Sequence, residues 1–234
     1  MTQPGPFKIF ATILRPSAGI VAAHGTILAW AAYLGWASPG EMRPVYVVLL
    51  LCQSFSAATG FLFRARRGHF DQVLVAPASR TRAGIAHAAA SMAIGLATWL
   101  LVAAIEGATN RGVVPRGLTL PAISALFSMS SVAWAAALPF ARFSSGVVWL
   151  IVAIALAGAG KLLMLRQAYV AAVETTADAW KAVAAALIFP PLMVTEPSAP
   201  LALSTFVVFG AAVVVAGVGV LAIEALDFPL VDPS

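Results

Sequence analysis

Long apolar runs broken by short polar clusters dominate the chain, and their lengths set the elements. Crossing the hydrocarbon of a bilayer takes about 20 helical residues, and six runs meet or approach that length: 17–37, 44–63, 84–105, 118–140, 145–165 and 201–223. They predict an all-α, polytopic membrane protein with six transmembrane helices, folded as a single transmembrane domain over residues 1–234. Ahead of them, Phe7, Phe10, Ala11 and Leu14 recur at helical spacing, while Lys8, Thr12 and Arg15 fall on another face. That pattern predicts an N-terminal interfacial helix within 1–16, lying among lipid headgroups. The segment is too polar for a signal peptide's apolar core, so the first span is expected to be retained.

Two stretches depart from the simple alternation of span and turn. Residues 64–83 hold five arginines between long apolar runs, a polar island that hydrocarbon cannot accommodate and that must form a loop on one face. Within it, residues 70–76 have the apolar spacing of a short helix. Pro77 is expected to end that helix because it lacks an amide hydrogen, and Ser79 or Thr81 to cap the next one. The second departure is 162–199. Residues 162–181 mix apolar positions with Arg166, Glu174, Asp178 and Lys181, and 182–194 is apolar for too few residues to cross and contains Pro190-Pro191. This stretch is expected to be an extracytoplasmic re-entrant segment before the last span, tolerated where it packs on protein.

Composition agrees with this class: 61% of residues are hydrophobic and 10% charged, with mean hydropathy +0.95, too little polar surface to cover a soluble globule. The pI near 10 comes from basic residues at the ends of apolar runs, where insertion topology explains them, and nucleic-acid binding is not expected. Eight of the fourteen Lys and Arg (Lys8, Arg15, Arg64, Arg66, Arg67, Arg80, Arg82 and Arg142) fall on the side of the N-terminus and the island. The positive-inside bias therefore places both termini and the island in the cytoplasm. Cys52 is the single cysteine and lies inside an apolar run, which excludes an internal disulfide framework.

Candidate chemistry is sparse. Gly158-Ala-Gly-Lys161 lacks the leading glycine and the following Ser or Thr of a phosphate-binding loop, and it sits in an apolar run. His24, His69 and His87 have no metal-ligand spacing, so no metal site and no cofactor are expected. No carboxylate pair or nucleophile–base constellation stands out, and enzymatic activity is not expected of the chain itself. Polar residues inside spans are costly and so point to function or interhelical bonding. His24 and Gln53, inside the first and second spans, are candidates for interhelical polar contacts or a substrate path, whereas His87, Glu106 and Glu224 at span ends are expected to be interfacial anchors. Ala93 with Ala97, and Ala212 with Ala216, permit close helix contact.

The island also carries a family resemblance. Gly68-His-Phe-Asp-Gln-Val-Leu-Val-Ala-Pro-Ala-Ser-Arg80 resembles the segment after the second span of type-2 ABC transporter permeases, where a Gly-x-apolar-acidic-Gln-apolar-Leu run precedes Pro-x-Ser-Arg. Arg64, Arg66 and Arg67 stand where that family often has acidic residues, and His87 stands where it often has lysine. The resemblance implies that Gly68, Phe70, Asp71, Gln72, Val73, Leu74, Pro77, Ser79 and Arg80 form a coupling helix docked on a separate ABC ATPase subunit. It further implies an exporter permease of the bacterial cytoplasmic (inner) membrane, paired with a second permease copy or paralogue and in contact with membrane lipids. Lipids, drugs, glycans and haem are all open as cargo. The alternative is a non-transporting structural subunit of a larger membrane complex.

Overall fold

The computed structural model describes residues 18–38, 40–66, 77–137, 183, 184, 186, 187, 190–195 and 201–225. In chain order these form α1 (Ala18–Ala37), α2 (Arg43–Arg66), α3 (Pro77–Thr109), a 3₁₀ turn (Arg116–Leu118), α4 (Leu120–Ala137), the one-turn helix α5 (Leu192–Thr195) and α6 (Leu201–Ala225). No strand occurs among the described residues. The interfacial helix expected in 1–16, the coupling residues Gly68, Phe70, Asp71, Gln72, Val73 and Leu74, the fifth expected span at 145–165 and most of 162–199 lie outside the described residues.

Among the described residues, three helices are long and apolar enough to cross a membrane: Ala18–Ala37, Met92–Thr109 and Ser204–Ala222, with mean hydropathies of 1.4, 1.6 and 2.5. They fall on the first, third and sixth expected spans. The apolar stretches of α2 and α4, Arg43–Ala58 and Leu120–Ala135, are shorter. The outward faces are apolar as well, with Val48, Leu51 and Phe55 on α2, Leu96, Leu100 and Leu101 on α3, and Phe206, Val213, Val214 and Leu221 on α6 all exposed. Such faces suit lipid, not water.

Helix starts follow proline. Pro44, Pro77 and Pro121 all lie in the first turn of a helix, where a backbone N–H has no intrahelical acceptor and a residue lacking one loses nothing. This corrects the expected start of the third span. Pro77 opens α3, so Ser79 and Thr81 fall inside the helix and not at its cap. The turn between α1 and α2 needs Gly40 at φ +103°, and the turn after α3 needs Gly112 at φ +89°, both in the left-handed region that side chains disfavour.

Contacts fix the helix directions. A Cβ on Gly35, near the end of α1, would lie 3.0 Å from Thr109 and 3.1 Å from Ile105, so α1 and α3 finish at the same end of the bundle. α2 starts at that end and runs antiparallel to α3: Tyr46 meets Glu106, and Gln53 lies against Gly95. Phe127 of α4 stacks on Phe209 of α6 at 5.2 Å, and Trp134 of α4 lies against Gly219 of α6. The contacts advance together along both helices, so α4 and α6 are parallel. The core runs through all of these elements and includes Ile27, Ala31, Tyr46, Leu49, Leu50, Trp99, Val102, Ala125 and Val208. Ala186, Leu192, Met193 and Val194 belong to the same core, and α5 packs on α2 and α4.

Candidate functional site

The most organised polar group in the described residues is at the end shared by α1 and α3. α3 stops at Thr109, and the chain turns through Asn110 and Gly112, with the Val113 amide donating to the Asn110 carbonyl at 3.3 Å. It then doubles back beside its own helix. Trp99 stands ten residues before the end of α3, about 15 Å along the axis. Its indole N–H nevertheless donates to the Gly117 carbonyl at 2.7 Å. The segment around 115–119, with its single 3₁₀ turn, is therefore backbone outside any α-helix, sunk beside helices of membrane-spanning character. Backbone of this kind is tolerated only where protein or a hydrated cavity satisfies its polar groups.

Protein satisfies them here. Glu106 is buried, at 3% exposure, and its Oε2 accepts from the Tyr46 hydroxyl at 2.6 Å and from the Arg116 backbone N–H at 2.8 Å. The Arg116 carbonyl accepts from the Thr119 hydroxyl at 2.8 Å and from the Thr119 amide at 3.1 Å, and the Leu118 amide donates to the Pro115 carbonyl at 3.0 Å. The Arg116 guanidinium lies alongside, with Nε 4.0 Å from Glu106 Oε1. Tyr46 and Trp99 pack ring on ring at 4.8 Å. Gly117 fits because it has no side chain: a Cβ there would lie 2.7 Å from the Tyr46 ring and hydroxyl. One carboxylate thus ties α2, α3 and the segment leading into α4 together. Glu106, expected to be an interfacial anchor, is instead an internal acceptor.

His24 and Gln53 are both buried, at 4% and 1% exposure. His24 makes no hydrogen bond to another helix among the described residues. Its Nδ1–H donates to the Ile20 carbonyl one turn back at 2.9 Å, and Nε2 is buried without a partner. Gln53 does meet a neighbouring helix, because a Cβ at Gly95 would overlap its amide group. The two residues share no hydrogen bond through the histidine, and the polar cluster near Glu106 includes neither. Of the expected coupling residues, Pro77, Ser79 and Arg80 are described in backbone only, in the first turn of α3. Among the described residues, no group of three or more His, Cys, Asp or Glu could hold a metal ion.

The Tyr46, Trp99, Glu106, Arg116 and Gly117 grouping does not stand out in the sequence because its members come from three separate stretches. The available signal was a lone carboxylate closing an apolar run, followed within ten residues by glycine, proline and arginine. Comparison of the chain with protein-family models, with curated proteins and with solved structures finds no match.

Proposed function

We propose that the chain is the membrane subunit of an ATP-driven exporter of the type-2 ABC permease class, working as a pair with a second copy or paralogue and driven by a separate ATPase. The observation that carries this reading is the Gly68–Arg80 run and its place in the chain, between α2 and α3. Those two helices pack antiparallel, with Tyr46 on Glu106 and Gln53 on Gly95. The run therefore connects them at the end opposite the Glu106 cluster, where a rigid element pushed by a partner would act on both helices at once. Six spans, a re-entrant 162–199 segment and cytoplasmic termini in a bacterial inner membrane belong to the same proposal. The parallel course of α4 and α6 supports the fifth span, since the chain leaving Ala137 must return to the opposite end of the bundle before Leu201. The buried Leu192, Met193 and Val194 support a segment that enters the bundle and packs on protein.

Purification of the chain with its partners from native membranes tests the proposal. The expected result is an ATPase in the complex whose hydrolysis becomes uncoupled, or whose binding weakens, on combining Phe70→Ala with Asp71→Ala, with membrane insertion unchanged. Truncating an anchoring aromatic at a packed interface costs on the order of 2 kcal/mol or more. A complex without an ATPase, or a double variant that assembles and hydrolyses like the parent, replaces this reading with that of a structural subunit.

A further inference from the structure

Helix α4 contains no Asp, Glu, Lys or Arg, yet Ser124, Ser128, Ser130 and Ser131 are all buried along it. α6 adds buried Ser204 and Thr205 in its first turns. In an apolar helix a hydroxyl is ordinarily satisfied by the carbonyl one turn back. Thr26, Ser54, Thr98 and Thr109 do this elsewhere in the protein, at 2.9, 2.8, 3.0 and 2.9 Å. The hydroxyls of Ser131, Ser204 and Thr205 do not, and each is buried without any hydrogen-bond partner.

All three stand where α4 meets α6. On α6, the buried positions Ser204, Thr205, Val208, Ala212 and Gly219 recur at helical spacing and form one face, and Gly219 of that face lies against Trp134 and Ala135 of α4. On α4, Ser131 lies one turn after Phe127, which stacks on Phe209, and one turn before Trp134 and Ala135. Because the helices are parallel, this pairing sets Ser204 and Thr205 level with the first turn of α4. They are thus roughly nine residues, or about 14 Å, along the seam from Ser131. Ser124 and Ser128 fall between, on the same side of α4 as Ser131.

We propose that this α4–α6 seam is a path for uncharged, hydrogen-bonding ligands such as hydroxylated or amide-bearing molecules, closed in this structure where Gly219 meets Trp134. The proposal rests on the transport reading. Hydroxyls donate and accept without net charge, and α4 and α6 contain no Lys or Arg to balance an anionic ligand. The only charged residue of the two helices is Glu224, near the far end of α6. Hydroxyls left without a carbonyl partner on both walls acquire one when the helices part and water or ligand enters.

The single native cysteine makes the test direct. In a Cys52→Ser background, Ser131→Cys, Ser204→Cys and Thr205→Cys are close in shape to the parent, and Val213→Cys on the exposed face of α6 is the reference. Labelling is measured in membranes containing the whole complex, without nucleotide and with ATP and vanadate, using neutral N-ethylmaleimide and cationic and anionic thiosulfonates. Each rate is normalised to that of free cysteine. Thiols react as thiolates, which form in water and not in lipid, so the three seam positions are expected to react about tenfold or more faster than position 213 in at least one state. At Ser131→Cys the neutral reagent is expected to outpace both charged ones. If all three positions are as slow as position 213 in every state, the path is overturned. It is also overturned if positions 204 and 205 react while 131 does not, because the hydroxyls then only cap an end. Equal normalised rates for charged and neutral reagents at position 131 overturn the ligand class. Seam labelling that is indifferent to nucleotide upholds the path and refutes its coupling to an ATPase. Ser128→Cys replaces any seam variant that fails to reach the membrane.

Discussion

Replacing Glu106 should separate two roles that the geometry assigns to it. Its Oε2 accepts both the Tyr46 hydroxyl and the Arg116 backbone N–H, whereas Oε1 faces the Arg116 guanidinium at a looser 4.0 Å. Glu106→Gln can keep an oxygen at the Oε2 position and so keep both hydrogen bonds, losing only their charge assistance. Glu106→Ala leaves two donors without an acceptor in a buried site, and a buried donor stripped of its partner costs about 1–3 kcal/mol. The alanine variant should therefore lose about 2–6 kcal/mol, and the glutamine variant on the order of 1–2 kcal/mol. Tyr46→Phe removes one donor while the carboxylate retains the Arg116 N–H, and should resemble the glutamine variant. For a chain of this size about 2–4 °C accompanies each kcal/mol, so thermal unfolding in detergent should show alanine lower than glutamine by several degrees, with tryptophan fluorescence as the readout. If glutamine is as damaging as alanine, the ion pair with Arg116 governs the site, not the shared acceptor, and the reasoning fails. If alanine is as stable as the parent, the sunken backbone finds other partners and the cluster has no structural role.

Three further outcomes are expected. Gly117→Ala should destabilise the protein by more than the roughly 1 kcal/mol typical of point substitutions, because its Cβ would lie 2.7 Å from the Tyr46 ring and hydroxyl; an unchanged melting temperature would show that the ring yields freely. Gly219→Leu should pry α6 from α4, since even a Cβ there would lie 2.6 Å from Trp134; a fluorescence spectrum and stability matching the parent would refute the tight seam. In a Cys52→Ser background, a cysteine at Val113, exposed in the turn after α3, should react with an impermeant reagent applied to intact cells, while a cysteine at Arg66 should not; labelling of position 66 instead would invert the proposed topology.

The apolar runs made the helices legible because run length is a one-dimensional property. α1 and α6 begin and end within a few residues of where hydropathy places them, at Ala18–Ala37 and Leu201–Ala225. Helix starts were less legible where proline carried two meanings. Pro77 reads as a terminator of what precedes it, but its fixed φ and missing N–H equally suit a first turn, and α3 uses it that way. The buried site was hidden for a different reason. Hydropathy treats Glu106 as the polar edge of a span, and that would hold if the chain left the bundle after Thr109. It does not leave, because a glycine at 112 allows the reversal and a glycine at 117 lets backbone slip under Tyr46. Once that backbone is sunk beside α3, its free N–H and C=O must find partners inside, and Glu106 and Trp99 are at the depth where those groups arrive. The same descent sets the start of α4. Leu120, where α4 begins, already lies below the end of its neighbour α3, at the depth to which the sunken segment carries the chain.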